Sequence, residues 1–319
     1  MTAFHPAPPA ARDDQASRLR QLVEQASGGS PPPPPPGPRP RRDLKILTIA
    51  SGKGGVGKTN LSVNLAVACA QSGVRACLID GDLGLANADV LCGVNTAAHL
   101  GQVIDGRRSI SDIAIEAPGG FRLVSGASGI VRLAHLDERQ RANIINALVE
   151  LEADTDLLIV DCGAGIGRGV LAFLEAADRS LVVTTPEPTA IADAYALIKA
   201  ILARQGAGAA PRFALLVNQA RSEREALAVH RRIDSVTRHF LDHTLSLAGW
   251  VHADAAVPAS VRRRTPFLLN NPRSRAASDV RKIAGEIVRD IGARGGPARK
   301  RPNVLRQLLE SIAPSAASV

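Results

Sequence analysis

Eight consecutive residues, Gly52-Lys53-Gly54-Gly55-Val56-Gly57-Lys58-Thr59, combine four glycines, two ammonium groups and a hydroxyl. They fit the pattern G-x-x-x-x-G-K-[ST], whose chemistry is phosphate binding. The glycines let backbone N–H groups close on phosphate oxygens, and a helix that starts at the loop adds its partial positive charge. In that arrangement Lys58 reaches the β and γ phosphates and Thr59 ligates magnesium. Three carboxylates extend the candidate chemistry: Asp80 and Asp82 follow Leu78-Ile79, and Asp161 follows Leu158-Ile159-Val160. Each falls where a buried strand is expected to end, and open α/β sheets bind ligands at that edge. One such acid can hold hydrated magnesium while another orients the water that attacks a γ-phosphoryl group. The three are expected on strands adjacent to the one feeding the loop.

Short apolar runs alternating with amphipathic stretches supply the elements that must position these groups. Residues 44–50, 76–80, 157–161, 180–184, 213–217 and 246–251 read as strands, several of them apolar on both faces. Residues 59–71, 137–152, 190–204 and 222–240 have the length and periodicity of helices. Strand and helix in alternation predict an α/β fold, a doubly wound, mostly parallel sheet with the loop between its first strand and first helix.

Composition bounds the rest. A chain of 319 residues, 45% hydrophobic and 22% charged, can bury a sizeable core, which excludes a fibrous or wholly disordered protein. Eleven of the 21 prolines fall in the first 40 residues, so one large domain of about 250 residues is favoured. The four cysteines (Cys69, Cys77, Cys92, Cys162) lie in or beside apolar runs without Cys-x-x-Cys spacing and read as small buried residues. With no signal-like start and no apolar run long enough to span a bilayer, the chain is expected to be cytoplasmic.

Lys53 makes the loop distinctive. Lys-Gly-Gly-Val-Gly-Lys-Thr resembles the deviant Walker A motif of the MinD/ParA ATPases, and Asp80-Gly-Asp82-Leu-Gly-Leu-Ala-Asn is similar to that family's segment after the second strand. The resemblance covers roughly residues 44 to 290. It implies an ATPase that is slow alone and partner-regulated, with ATP and Mg2+ as cofactors, working as a homodimer that sandwiches two ATP molecules. Lys53 would cross to the partner's phosphates, where a cation delivered in trans stabilises transition-state charge. By the same transfer the nucleotide lies along Gly52, Lys53, Gly54, Gly55, Val56, Gly57, Lys58, Thr59 and Asn60. Catalysis falls to Lys53, Lys58 and Asp82, with Asp82 positioning the water. Thr59, Asp80 and Asp161 serve the metal, and Asn218 contacts adenine.

Within that superfamily the N-terminal segment, Asp14-Gln15-Ala16-Ser17-Arg18-Leu19-Arg20, resembles the D-Q-A-x-x-L-R motif of the FlhG (FleN, YlxH) family, MinD-like regulators of flagellar number and placement. The apolar residues Leu19, Leu22, Val23 and Ala26 share one helical stripe. The resemblance implies that Asp14, Gln15, Ala16, Leu19 and Arg20 engage the SRP-type GTPase FlhF and stimulate its GTP hydrolysis. Residues 1–27 then form the activator helix and tail, 28–43 a stiff Pro-rich linker, 44–292 the ATPase domain and 293–319 a basic linker with a candidate membrane helix. In that last helix Val304, Leu305, Leu308, Leu309 and Ile312 form one stripe, which would either insert in a membrane or pack on the domain. Flagellar basal-body proteins and a flagellar transcription regulator are further partners the family suggests.

The net charge of +9 resides in residues 262–301, where 12 Lys and Arg face 3 Asp and Glu. An anionic inner-membrane surface is the favoured partner of this segment. Non-specific DNA, as for a ParA-like partition ATPase, is the less favoured alternative. A metal-cluster scaffold of the same superfamily is opposed by the missing Cys-x-x-Cys spacing.

Overall fold

The computed structural model describes residues 44–81, 87–126, 137–204 and 213–293. The N-terminal activator helix, the Pro-rich linker, Asp82 and the membrane stripe expected from the sequence lie outside these residues. Eight strands form one sheet: β1 (Lys45–Ser51), β2 (Ala76–Gly81), β3 (Ile115–Ala117), β4 (Phe121–Val124), β5 (Leu157–Ala164), β6 (Arg179–Thr184), β7 (Phe213–Ala220) and β8 (Leu247–His252). Their order is β3-β4-β2-β5-β1-β6-β7-β8, parallel throughout except for the antiparallel β3–β4 pair at one edge.

Alternation along β1 shows how the sheet is covered on both faces. Ile46 and Ala50 join a core with α5 (Glu138–Asp154), α6 (Arg168–Ala176), α7 (Pro188–Arg204) and α8 (Glu223–Leu241). Leu47 and Ile49 point the other way, into a core with α1 (Lys58–Gln71) and α11 (Arg275–Ala293). The short helices α2 (Ala88–Cys92) and α10 (Phe267–Asn270) join that second layer; α3 (Leu100–Ile104) and α4 (Ile110–Ile113) join the first, while α9 (Ala256–Arg262) follows β8. Each leucine or isoleucine withdrawn from water in these layers contributes about 1.5–3 kcal/mol. All four cysteines are buried and free, and burial pushes the Cys69 and Cys77 thiols up to about 12.

Three details depart from the sequence reading. β2 is separated from β1 by β5, so Asp80 and Asp82 do not follow a strand adjacent to the loop strand; only Asp161 lies on the neighbour. β5 runs three residues past Asp161, and β7 extends past Asn218 to Ala220, so neither residue closes its strand. The β3–β4 hairpin and α11 carry no strand or helix expectation from the sequence. The hairpin strands are three and four residues long, too short for a period to show.

Candidate active site

The loop between β1 and α1 is held open by backbone geometry. Gly55 and Gly57 have φ of +81° and +86°, a left-handed conformation that side chains resist. Helix α1 starts on Gly57 with no side-chain cap and no acidic residue in its first turn. Its first N–H groups therefore remain available to an anion. Asn218 closes the loop from β7, its Nδ2 donating to the Val56 carbonyl at 2.8 Å. A Cβ on Gly57 would stand 2.5 Å from that same Nδ2.

Beneath the loop lies a buried ion pair. Lys58 Nζ donates to Asp161 Oδ1 at 3.1 Å, with side chains 7% and 0% exposed. Ser62, one turn along α1, donates its hydroxyl to the same oxygen at 3.1 Å. Asp161 Oδ2 is buried with no hydrogen-bond partner among the described residues. Burial pushes the Asp161 carboxyl up, although Lys58, Thr59 and Ser62 favour its charged form. A buried acceptor without a donor normally signals a missing water or cation. This spare oxygen beside Thr59 fits a hydrated divalent metal, and the uncapped helix start fits phosphate. Asp80 is also buried, its Oδ2 accepting the backbone N–H groups of Asn87 and Ala88 at 2.9 Å each. Its carboxylate thus caps the start of α2.

Lys53 stands apart from this cluster. Its Nζ donates to Glu187 Oε2 at 2.9 Å and Thr189 Oγ1 at 2.8 Å, on the exposed start of α7. Gly52 is pressed so closely to α7 that a Cβ there would fall 2.1 Å from the Asp193 carbonyl oxygen. The fold therefore brings Lys58, Asp161, Asn218 and the loop together, places Asp80 two strands from β1, and turns Lys53 outward. Sequence reasoning missed Ser62, although its spacing of four from Lys58 puts both on one helical face. It also missed Glu187, Thr189 and Asp193, for which no local pattern exists.

The AAA domain family matches residues 44–207. The antiactivator FleN of Pseudomonas aeruginosa is 40% identical over 244 residues, covering 76% of this chain and 86% of FleN. The chain belongs to the FlhG (FleN/YlxH) family of MinD-like ATPases. A second member, the flagellum site-determining protein YlxH of Helicobacter pylori, is 31% identical over 85% of this chain and 91% of its own. Among solved structures, a chain of the MinC:MinD cell division complex of Aquifex aeolicus matches with a TM-score of 0.62 at 23% identity, covering 80% of this chain and 98% of that one. MinD of Pyrococcus horikoshii complexed with Mg-ADP matches equally, with a TM-score of 0.62 at 23% identity over 80% of this chain and all of that one. The chain is an ATP-binding ATPase of MinD/ParA type, and no helix among its described residues is long and apolar enough to cross a membrane.

Proposed function

We propose that this chain is an ATP-switched regulator of flagellar number and placement. The observation that carries the proposal is the buried Lys58–Asp161 pair with its spare carboxylate oxygen beneath an uncapped helix start. Such a site suits a phosphate chain and its metal better than any neutral ligand. The names of FleN and YlxH, an antiactivator and a flagellum site-determining protein, direct the reading towards flagella.

In this proposal Lys58 and the backbone of residues 52–60 bind ATP phosphates, and Asn218 contacts adenine from β7. Thr59, Asp80 and Asp161 would hold magnesium. The bound metal would supply charge neutralisation at the β and γ phosphates. Asp82 orients the attacking water. Lys53 leaves Glu187 and reaches the phosphates of a second subunit, so hydrolysis depends on dimerisation. Turnover is slow until a partner completes the site. Residues 1–27 reach FlhF across the 28–43 linker, with Asp14, Gln15, Ala16, Leu19 and Arg20 stimulating its GTPase. The ATPase domain spans 44–292. The stripe Val304, Leu305, Leu308, Leu309 and Ile312 associates reversibly with the anionic inner membrane.

Sedimentation of Asp82→Ala protein with ATP and anionic liposomes tests the switch: trapped dimers on the vesicles are expected, and a monomer indifferent to ATP would overturn it. A peptide of residues 1–30 added to FlhF tests the second activity. GTP hydrolysis should rise, and should not rise with Gln15→Ala.

A further inference from the structure

Three side chains of α1 favour the charged Asp161 carboxyl: Lys58, Thr59 and Ser62. Lys58 and Thr59 take up other partners when a phosphate chain and its metal are bound, the first on phosphate and the second on the cation. Ser62 has no such second task. It is fully buried, and its hydroxyl holds Oδ1 at 3.1 Å, the same oxygen that accepts Lys58 Nζ. Both donors lie on one side of the carboxylate, and Oδ2 is the oxygen left over.

The backbone at Asp161 is fixed by its neighbours. β5 lies inside the sheet, with Asp161 in register with Ile49 of β1 on one side and Asp80 of β2 on the other. The direction of the carboxylate therefore depends on side-chain rotation, and rotation is restrained by the donors that hold Oδ1. Once Lys58 engages phosphate, the Ser62 hydroxyl is the donor that stays with Oδ1, and Oδ2 remains open to the metal and its water. Ser62 is itself well placed for this, because Oγ also lies 3.0 Å from the Lys58 carbonyl, one turn earlier in α1. The hydroxyl has one proton to give, and a carboxylate is a stronger acceptor than a carbonyl, so the proton goes to Asp161 while that group is charged. Ser72, just past the other end of α1, makes the same kind of bond to the Ala68 carbonyl at 2.9 Å and serves as the plain structural counterpart.

Resting on the ATP and Mg2+ reading of this site, we propose that Ser62 is a positioning residue for the metal: it pins Asp161 Oδ1 so that Oδ2 is presented to magnesium when Lys58 turns to the phosphates. Hydrogen bonds behind a metal-binding carboxylate change metal affinity by about 10–100-fold, because a carboxylate that rotates freely must be ordered as the metal binds. Ser62 acts through Asp161 alone. Its hydroxyl is committed to that carboxylate and the Lys58 carbonyl, so nucleotide affinity without metal is independent of it.

The test follows binding of a fluorescent, non-hydrolysable ATP analogue to the full-length protein by anisotropy, first in EDTA and then with MgCl2 titrated in. Affinity of the parent should rise with Mg2+. Ser62→Ala should require about tenfold or more Mg2+ for half of that rise, with an affinity in EDTA within about twofold of the parent. Ser62→Thr keeps the hydroxyl and should titrate within about threefold of the parent. Ser72→Ala removes a serine–carbonyl bond outside the site and should titrate as the parent does. A Ser62→Ala protein that follows the parent's Mg2+ titration would overturn the proposal even if its Tm falls, since the hydroxyl would then serve the helix alone. Equal weakening in EDTA and in Mg2+, or a threonine variant as weak as the alanine one, would overturn it too. A parent indifferent to Mg2+ would instead overturn the metal reading of the site, and the role of Ser62 with it.

Discussion

Replacing Asp161 by asparagine isolates the charge at the centre of the site. The carboxamide keeps an oxygen for the Ser62 hydroxyl and nearly the same volume, but leaves the Lys58 ammonium, 7% exposed, without a counter-charge. Breaking a buried pair from one side costs about 3–5 kcal/mol, because the remaining ion has lost its compensation. In a folded body of this size each kcal/mol moves Tm by about 2–4 °C, so a fall of about 6–20 °C is expected without nucleotide. The reciprocal change, Lys58→Met, should cost less. Asp161 can then bind a proton, a form that burial already favours. The double variant Lys58→Met/Asp161→Asn removes both ions, and should recover stability to give a coupling of about 2 kcal/mol or more. Urea unfolding of the four nucleotide-free proteins, followed by circular dichroism at neutral pH, measures each corner of the cycle. Additive effects, or an Asp161→Asn protein within about 0.5 kcal/mol of the parent, would refute a charge pair that matters to folding.

Further outcomes follow from the same geometry. Gly57→Ala forces a side chain into φ +86° and against Asn218 Nδ2. It should cost about 1–3 kcal/mol of stability and abolish binding of a non-hydrolysable ATP analogue in calorimetry, and retained affinity would contradict the loop geometry. Lys53→Ala breaks a pair whose side chains are 38% and 65% exposed, so stability should change by less than about 1 kcal/mol. Steady-state ATP hydrolysis should nevertheless fall by about 100-fold or more, and an unchanged rate would remove the trans role of Lys53.

Much of the fold was legible because its strands are buried on both faces. The apolar runs at β1, β2, β5, β6, β7 and β8 were found to within a few residues at each end, as were α1, α5, α7 and α8. The phosphate loop was legible because its chemistry requires contiguous glycines and a lysine at fixed spacing. Of what escaped notice, α11 had a local signal, since Ala276, Val280, Ile283, Ile287 and Ile291 keep helical spacing, whereas the rest depends on neighbours distant in sequence. The β3–β4 hairpin exists because β2 offers β4 an edge for pairing. The strand order that puts β5 between β1 and β2 is set by crossovers, about which apolar runs say nothing.

By itself, the sequence determined the phosphate loop, its strand–loop–helix setting and the family to which both belong. These are local matters, fixed by backbone conformations that only certain residues adopt and by periodicities that only certain layers accept. Tertiary structure alone decided which groups meet. Lys58 and Asp161 are 103 residues apart, Lys53 and Glu187 are 134 apart, and Asn218 reaches Val56 across 162. No residue type at any one of these positions specifies its partner. Parallel strands align their C-terminal ends along one edge, and that alignment turns scattered side chains into a site.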